Sequence, residues 1–271
     1  TGASLTSRLR IVVSGLIAQY PLGGVAWDYG QYAQGLARLG HEVFYIEDTG
    51  LWPYNPDEAG VSKTCDYNVR YLTAVMSSMG LDGRWAYRFP WESQWFGLER
   101  TRVREIVESA DLIVNVSGSL HDPRAYAGRG VLALIDSDPV FTQVKLARGQ
   151  QDFQAFVDAH DVHFTFGETL PEEFSSNGRT WRPTRQPVVL SEWQPTAVTR
   201  DVFTTVMNWT SYKPVTFAGR TFGQKAVELE RFVDLPRAVA PTTLELAVND
   251  GKTRRTPRSL LEHRGWALAH P

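Results

Sequence analysis

Side chains that can take a proton from a hydroxyl group stand at the ends of several predicted elements of this chain. These candidate bases are Asp28, His121, Asp136 and Asp138. A carboxylate or an imidazole held against a hydroxyl is the usual base where an enzyme activates an alcohol. Histidine titrates near neutral pH, and Asp122 could orient the ring of His121. The residue types therefore indicate hydroxyl activation.

Each of these residues also has a structural explanation, which the sequence leaves open. Asp28 could cap the start of a helix, and Asp122 could cap a turn that leaves His121 exposed. The Asp-Ser-Asp tripeptide that begins at Asp136 has a spacing that can bind a divalent ion, but it also suits a hydrogen-bonded turn. We expect the turn, and neither a metal nor a resident cofactor.

Gly23 and Gly24 form a second kind of candidate, for binding a substrate. They stand between the first apolar run and an amphipathic segment, where the bare backbone at a helix start can approach an anion closely. A tight turn would explain them equally well. The stretch from Gly15 to Gly24 lacks the Gly-x-Gly-x-x-Gly spacing of dinucleotide-binding loops, which argues against an NAD-type oxidoreductase.

A parallel sheet must position these residues. Short apolar runs predict its strands: Ile11–Val13, Val43–Ile46, Leu112–Val116, Val131–Ile135, Val162–Phe166 and Pro187–Leu190. Amphipathic segments predict its helices: Asp28–Leu39, Tyr67–Met79, Leu98–Ser109 and Gln150–Ala159. Near-continuous apolar strands alternating with helices are typical of a doubly wound, Rossmann-like α/β domain, which binds ligands at the carboxyl ends of its strands. Glu168 follows one such strand and could contact a ligand or begin a turn.

Two further segments complete the predicted organisation. The aromatic interval Trp85–Trp95 shows neither the apolar period of a helix nor that of a strand, which predicts a loop or lid packed by its own rings. A polar connector near residue 195 separates a first domain, residues 1–195, from a second Rossmann-like unit, residues 196–271. That unit's predicted elements are Val202–Met207, Lys225–Val233, Thr243–Val248, Ser259–His263 and Trp266–Ala269. So few strands would leave a sheet poorly covered, so we expect the natural protein to continue.

Composition narrows the possible partners and the compartment. The chain has 28 Lys plus Arg against 30 Asp plus Glu, which gives no basic footprint for nucleic acid. Its single cysteine, Cys65, excludes an intrachain disulfide and favours a reducing compartment. No apolar run is long enough for a membrane span, and no signal-peptide pattern precedes the first strand. We therefore expect a cytoplasmic protein that neither binds nucleic acid nor spans a membrane.

Two stretches carry a resemblance to a known family. They are SGLIAQYPLGGVAWDYGQYAQGLARLGHEVFYIED, from Ser14 to Asp48, and MNWTSYKPVTFAGRTFGQK, from Met207 to Lys225. Together they resemble glycosyltransferases of the two-domain GT-B type. The resemblance implies two Rossmann-like domains across a cleft, the first holding the acceptor and the second holding the nucleotide-sugar donor, usually without a metal.

The resemblance also implies roles for individual residues. Gly23 and Gly24 would form the acceptor-side wall of the cleft. Gly219, Arg220 and Lys225 would lie at the donor site, where the two cations would meet the diphosphate. Ordinary ion pairs with acidic residues of the following helix would explain these cations as well.

The function predicted from the sequence is transfer of a sugar from a nucleotide-sugar to a hydroxyl of a small-molecule or glycan acceptor. The four candidate bases would activate that hydroxyl. The alternative is a Rossmann-like module that binds a nucleotide or a sugar, or serves in assembly, without chemistry.

Overall fold

A computed structural model describes residues 7–91, 94–170, 174, 178–210, 213–223, 225–250 and 255–271. The chain divides into two compact units, Thr1–Trp193 and Gln194–Pro271. Within the described ranges, no helix combines the length and the apolar character needed to cross a membrane.

The first unit is built on an eight-stranded sheet with the strand order β10-β9-β8-β7-β1-β2-β5-β6. The strands are β1 (Arg10–Ser14), β2 (Glu42–Glu47), β5 (Trp85–Phe89), β6 (Gln94–Gly97), β7 (Leu112–Val116), β8 (Val131–Asp136), β9 (Val162–Thr165) and β10 (Trp181–Pro183). All neighbours pair in parallel except the edge strand β6, which is antiparallel to β5. A small separate hairpin is formed by β3 (Tyr54–Asn55) and β4 (Gly60–Val61).

Helices cover both faces of this sheet. They are α1 (Gly23–Arg38), α2 (Asp66–Ser78), α3 (Arg100–Ser109), α4 (Phe141–Ala147) and α5 (Gln151–Val157). Alternate residues of β1 enter different cores: Ile11 and Val13 join one cluster, whereas Val12 joins another. Burial on both faces explains why the strands are apolar without interruption. The expected α/β fold, with a large and mostly parallel sheet between helices, is confirmed.

The first helix begins at Gly23 rather than at Asp28, so of the two alternatives for Asp28 the capping of this helix start is excluded. Leu22 occupies the capping position in extended conformation, and Asp28 lies in the second turn. The two glycines look like a turn in the sequence because glycine is a poor helix former. Core packing of the following turns, through the buried Ala26 and Tyr29, stabilises the helix despite them.

The prediction of a loop or lid at Trp85–Trp95 is also wrong, because β5 and β6 form an antiparallel hairpin there. Trp85, Tyr87 and Phe89 are buried in one core cluster, whereas Ala86 is buried in the other. This is the alternation of a strand, built from aromatic residues that favour the pleated sheet.

The prediction of a strand at Pro187–Leu190 is wrong as well. This segment packs against α1 outside the sheet, and the strand next to β9 is β10 instead. The backbone N–H of Val189 and the indole N–H of Trp193 both donate to Oε1 of Gln31 on α1, each at 2.9 Å. A side chain therefore supplies the acceptor that a sheet partner would have supplied.

The second unit contains a three-stranded parallel sheet in the order β11-β14-β15 and a separate hairpin of β12 and β13. Its elements are β11 (Val202–Asn208), β12 (Val215–Phe217), β13 (Arg220–Phe222), α6 (Lys225–Glu230), α7 (Leu235–Ala238), β14 (Thr243–Asn249), α8 (Arg258–His263) and β15 (Ala267–Ala269). Met207, Leu246, Val248 and Trp266 belong to its core. All five elements predicted for this unit are present, although α6 ends before the predicted Val233.

Candidate ligand site at the carboxyl end of the first sheet

The strand order of the first unit reverses at β1. From β1 the chain proceeds to β2 on one side, and later returns to β7 on the other. The loops that leave β1 and β7 therefore diverge, and open α/β sheets bind ligands in the crevice that this leaves. We name this place the switch-point crevice. Its parts are the loop Gly15–Leu22, the start of α1, and the loops Ser117–His121 and Ser137–Val140.

A chain of hydroxyl groups joins three parts of the switch-point crevice. The Tyr29 hydroxyl on α1 donates to Oγ of Ser117 at 3.0 Å, and Ser117 in turn shares a hydrogen bond with Oγ of Ser137. Gly15 makes this arrangement possible, because a Cβ there would lie 2.6 Å from the Tyr29 ring. The end of β1 thus needs glycine so that the tyrosine can pass over it.

A second, fully buried network fixes the loop after β7. Oδ1 of Asn115 accepts from the Ser119 hydroxyl at 3.2 Å and from the Leu120 N–H at 3.1 Å. Its Nδ2 lies 2.9 Å from Nε2 of His160, and Nδ1 of that ring faces the Phe156 carbonyl at 3.1 Å. Burial lowers the pKa of His160 to about 4. His160 is therefore a neutral structural residue that carries its proton on Nδ1.

The loop after β1 is held by Glu47, at the carboxyl end of β2. Its fully buried carboxylate accepts from the N–H groups of Ala18 at 2.9 Å and Gln19 at 2.5 Å, and from the Tyr45 hydroxyl at 2.8 Å. Dinucleotide-binding domains use an acidic residue in this region to bind ribose hydroxyls. Here the carboxylate already serves the protein's own loop, which adds to the case against a dinucleotide.

Glu47 makes the stability of the first unit depend on pH. Burial raises the pKa of Glu47 from 4.5 to about 7. The folded protein therefore binds more protons than the unfolded chain between these values, so stability is lost as the pH rises. We expect the free energy of unfolding to fall by about 3 kcal/mol across this range. Urea unfolding at a series of pH values measures it.

Glu47→Gln is the matched variant for this prediction. The amide cannot ionise, so the loss of stability between pH 4.5 and 7 should largely disappear. At low pH the variant should be less stable than the parent by about 1–3 kcal/mol, since one backbone N–H then faces an amide donor. A parent and a variant with equal pH slopes would show that Glu47 titrates normally.

Asp136 lies at the end of β8 and is used by the protein itself. Its buried carboxylate accepts from Oγ1 of Thr142 at 2.8 Å, the N–H of Asp138 at 3.2 Å, Nε2 of Gln143 at 2.9 Å and Oγ1 of Thr165 at 2.9 Å. Four donors match the acceptor capacity of a carboxylate. Asp136 therefore shapes the turn, and has little capacity left to take a proton from a substrate.

Asp138 and Val140 belong to the turn that Asp136 organises. Asp138 is exposed, and partial desolvation together with the charge of Asp136 raises its pKa. Val140 has φ of +75°, which is unfavourable for a β-branched residue. Strain of this kind persists where the surroundings fix it, and it is common beside functional sites.

His121 is exposed, and its ring lies against Gly50, where an added Cβ would be 2.5 Å from the imidazole. Its backbone N–H donates to the Asp48 carbonyl at 2.8 Å. Asp122 accepts from the Arg124 N–H at 3.1 Å and so caps the short 3-10 helix Pro123–Tyr126. The carboxylate therefore serves the turn and does not orient the imidazole.

Asp28 differs from the other candidate bases. It is half-buried on α1, next to Tyr29 of the hydroxyl chain, and burial raises its pKa. Its backbone carbonyl accepts from Nε2 of Gln186 at 2.6 Å. Within the described residues, its carboxylate makes no hydrogen bond. Asp28 shares this combination of partial desolvation and an unoccupied carboxylate with Asp138 alone among the four candidates, and of the two Asp28 is the less exposed.

Gly23 and Gly24 leave the start of α1 open. The first N–H to bond back along the helix is that of Ala26, to the Leu22 carbonyl at 2.9 Å. The preceding N–H groups have no intrahelical partner, no side chain caps the helix, and its first turn has no acidic residue. A Cβ at either glycine would meet nothing within 4 Å. The helix dipole at this end favours an anion.

Glu168 forms a hydrogen-bonded ion pair with Arg185 on the surface of the first unit. Both side chains are largely exposed, and exposed pairs contribute little to stability. The pair satisfies Glu168 without a ligand.

The predicted donor residues lie on the hairpin and the first helix of the second unit. Gly219 follows Ala218 in the two-residue turn between β12 and β13, where both have positive φ, which explains the glycine. The Arg220 guanidinium lies over the Phe222 ring at 5.3 Å. Lys225 is the exposed first residue of α6. Among the described residues Lys225 forms no ion pair, so the alternative of a pair with Glu228 or Glu230 is not seen for it; Glu228 pairs with Arg231 at 3.2 Å.

The hydroxyl chain is the part of the site that sequence analysis missed. A signal was present, because Ser117 directly follows the apolar run of β7, and Ser137 follows the end of β8. Polar residues at the carboxyl ends of parallel strands point to the ligand edge of a sheet.

Across the described ranges, no group of three or more His, Cys, Asp or Glu side chains is arranged to hold a metal ion.

The chain was compared with protein families and with curated proteins. No protein-family profile matches the chain, and no curated protein matches it significantly.

Proposed function

We propose that the chain is a glycosyltransferase of the GT-B type, in which the first unit binds the acceptor at the switch-point crevice. The observation that supports this most strongly is the pairing of an open helix start, at Gly23 and Gly24, with an unoccupied and partly desolvated carboxylate, Asp28, on the same helix. The first can hold a negatively charged group of an acceptor. The second can take a proton from its hydroxyl.

In this proposal Asp28 is the general base. The acceptor oxygen forms a bond to the anomeric carbon of the donor sugar while its proton passes to Asp28. The bond from that carbon to the nucleoside diphosphate breaks, and the diphosphate leaves with the electron pair. Arg220 and Lys225 of the second unit would balance the charge of the diphosphate. The hydroxyls of Ser117 and Ser137 would orient the acceptor.

A binding module without chemistry is the second candidate, and two observations favour it. Asp136 is fully engaged in hydrogen bonds, and no carboxylate of a described residue orients the ring of His121. Catalysis by the first unit would therefore depend on the two aspartates whose carboxylates are unoccupied, Asp28 and the more exposed Asp138. We place either function in a reducing compartment such as the cytoplasm, which suits the single buried thiol of Cys65.

Product release distinguishes the two functions. The 271-residue chain is incubated with UDP-, GDP-, ADP- and TDP-sugars and with sugar phosphates, uronic acids or neutral glycosides as acceptors. Released nucleoside diphosphate is measured together with the thermal midpoint. Release that depends on an acceptor supports the transferase. A raised midpoint without release supports the module, since a ligand that binds only the folded state stabilises it. If the chain shows neither acceptor-dependent release nor a raised thermal midpoint, both proposed functions are contradicted.

Gly24 offers a test in which stability and binding move in opposite directions. Gly24→Asp should stabilise the unliganded protein by about 0.3–1 kcal/mol, because a carboxylate complements the helix dipole. The same charge should raise the KM of an anionic acceptor about tenfold or more, because it occupies and repels the anion position. Thermal unfolding and the release assay measure the two effects.

Gly24→Ala is the control for this test. Alanine also favours the helix, by about 0.5–1 kcal/mol, but it adds no charge, so the KM should change far less than in the aspartate variant. Equal values of KM in the two variants would show that the start of α1 does not hold an anion.

A further inference from the structure

A second concave site lies in the first unit, apart from the switch-point crevice. It is a cavity of about 460 Å³ between α3, the β5–β6 hairpin and the segment that follows β7. Its volume is in the range of pockets that hold small molecules. The residues that give it chemical character are Asp48, Arg88, Trp95, Arg100, Arg104 and Tyr126.

The inner part of the cavity is a fixed polar cluster. Asp48 and Tyr126 are almost fully buried, and the Tyr126 hydroxyl donates to Oδ2 of Asp48 at 2.8 Å. Nη1 of Arg88 donates to both oxygens of Asp48 at 3.2 Å. These contacts hold the Arg88 guanidinium at the wall in one orientation. A site with pre-positioned polar groups loses little entropy on binding.

The outer part is formed by α3 and by an aromatic ring. Arg104 pairs with Glu108 one turn further along the helix, at 2.7 Å. Arg100 forms no ion pair with any residue that the structure describes. Among the described lining residues, three guanidinium groups stand with two carboxylates, those of Asp48 and Glu108, which is an excess of one positive charge. Trp95 adds a half-buried aromatic surface.

The sequence of α3 runs against the preference of an isolated helix. Its first turn has no acidic residue, and arginine stands at positions 100, 102 and 104. Positive side chains near the amino end of a helix are unfavourable because the helix dipole is positive there. Arg102 and Arg104 are compensated within α3 by ion pairs with Glu105 and Glu108, whereas Arg100, in the first turn, has no ion pair with a described residue. A local rule that stays broken at one position suggests a demand from elsewhere. An anion in the adjacent cavity would supply the compensation.

We propose that this cavity binds a small phosphorylated molecule, with the phosphate between the arginines and a ring against Trp95. Guanidinium groups match phosphate oxygens in pairs, and three of them can share one phosphate better than they can share a carboxylate. The face of an aromatic side chain suits a planar or sugar ring. This site is distinct from the crevice and does not depend on the proposed transferase activity.

Calorimetric titration of the 271-residue chain with phenyl phosphate tests the proposal. Phenyl phosphate carries both groups that the cavity should recognise, and inorganic phosphate carries one. We expect phenyl phosphate to bind more tightly than inorganic phosphate, with an affinity that falls as salt is added. Arg100→Ala should weaken its binding about tenfold or more. Trp95→Ala should remove the advantage over inorganic phosphate.

Arg102→Ala is the matched control, because Arg102 is on the same helix but does not line the cavity. Its binding should stay within about twofold of the parent. Thermal unfolding verifies that the exposed arginine variants are folded. No heat from phenyl phosphate up to about 10 mM would overturn the proposal. Equal weakening by Arg100→Ala and Arg102→Ala would overturn it too, since that result means unspecific attraction to the helix.

Discussion

Asp136→Ala should destabilise the first unit by about 3–5 kcal/mol, the largest effect on stability that we expect for a single substitution. The substitution removes the acceptor of four hydrogen bonds at once. It leaves the donors of Thr142, Gln143 and Thr165 facing a small cavity, together with the N–H of Asp138. Chemical unfolding, followed by a signal from the first unit, measures the change.

Asp138→Ala is the control two residues away. Its carboxylate is exposed, so its removal should change the unfolding free energy by no more than about 0.5 kcal/mol. Asp136→Asn keeps one acceptor oxygen, so its loss of unfolding free energy should lie between those of Asp136→Ala and Asp138→Ala. If Asp136→Ala proved as mild as Asp138→Ala, the hydrogen-bonded turn would not be what holds the end of β8, and Asp136 would again be a candidate base.

Asp28→Asn should have the largest effect on turnover. If Asp28 is the base, the amide should lower acceptor-dependent release of nucleoside diphosphate by about 10²–10⁴-fold. The thermal midpoint should stay the same or rise, because burial already disfavours the charged carboxylate there. In the parent, turnover should rise with pH as Asp28 loses its proton, and the midpoint of this rise should lie above the usual range for aspartate because burial raises its pKa.

His121→Ala is the control for the base assignment. The His121 ring is exposed, and its backbone N–H bond to Asp48 does not depend on the side chain. We expect turnover within about threefold of the parent, since groups outside the reacting geometry contribute little. A large loss in His121→Ala, with Asp28→Asn near normal, would reverse the assignment.

The sequence predicts the strands that are buried on both faces. It does not predict the segments whose conformation depends on contacts with elements distant in the chain. The strands β1, β7 and β8 can be predicted from their apolar runs, because both faces of a central parallel strand are buried. The sequence predicts a loop where the aromatic strand β5 lies, since the alternation of this strand is short and is partly hidden by Arg88. Apolar character alone predicts a strand at Pro187–Leu190, because it does not distinguish a strand from a segment that packs against a helix.

The candidate site shows the same division. Gly23, Gly24 and Asp28 could be chosen from local spacing around the first helix. The bond from Tyr29 to Ser117 joins residues 88 positions apart, and that from Ser117 to Ser137 joins residues 20 apart. Only the sheet order brings these hydroxyls together. The engagement of Asp136 by Thr165 and Gln143 is likewise a product of tertiary packing, so its structural role was invisible in the tripeptide.

Amide hydrogen exchange tests the central claim, that the switch-point crevice is the ligand site, most directly. Exchange is compared with and without the nucleotide-sugar and acceptor that raise the thermal midpoint. The N–H groups of residues 23–25 lack intrahelical partners and should exchange quickly in the free protein. We predict that ligand slows exchange in peptides covering residues 23–25 and 117–118. Protection confined to other parts of the chain, with these peptides unchanged, would contradict the claim.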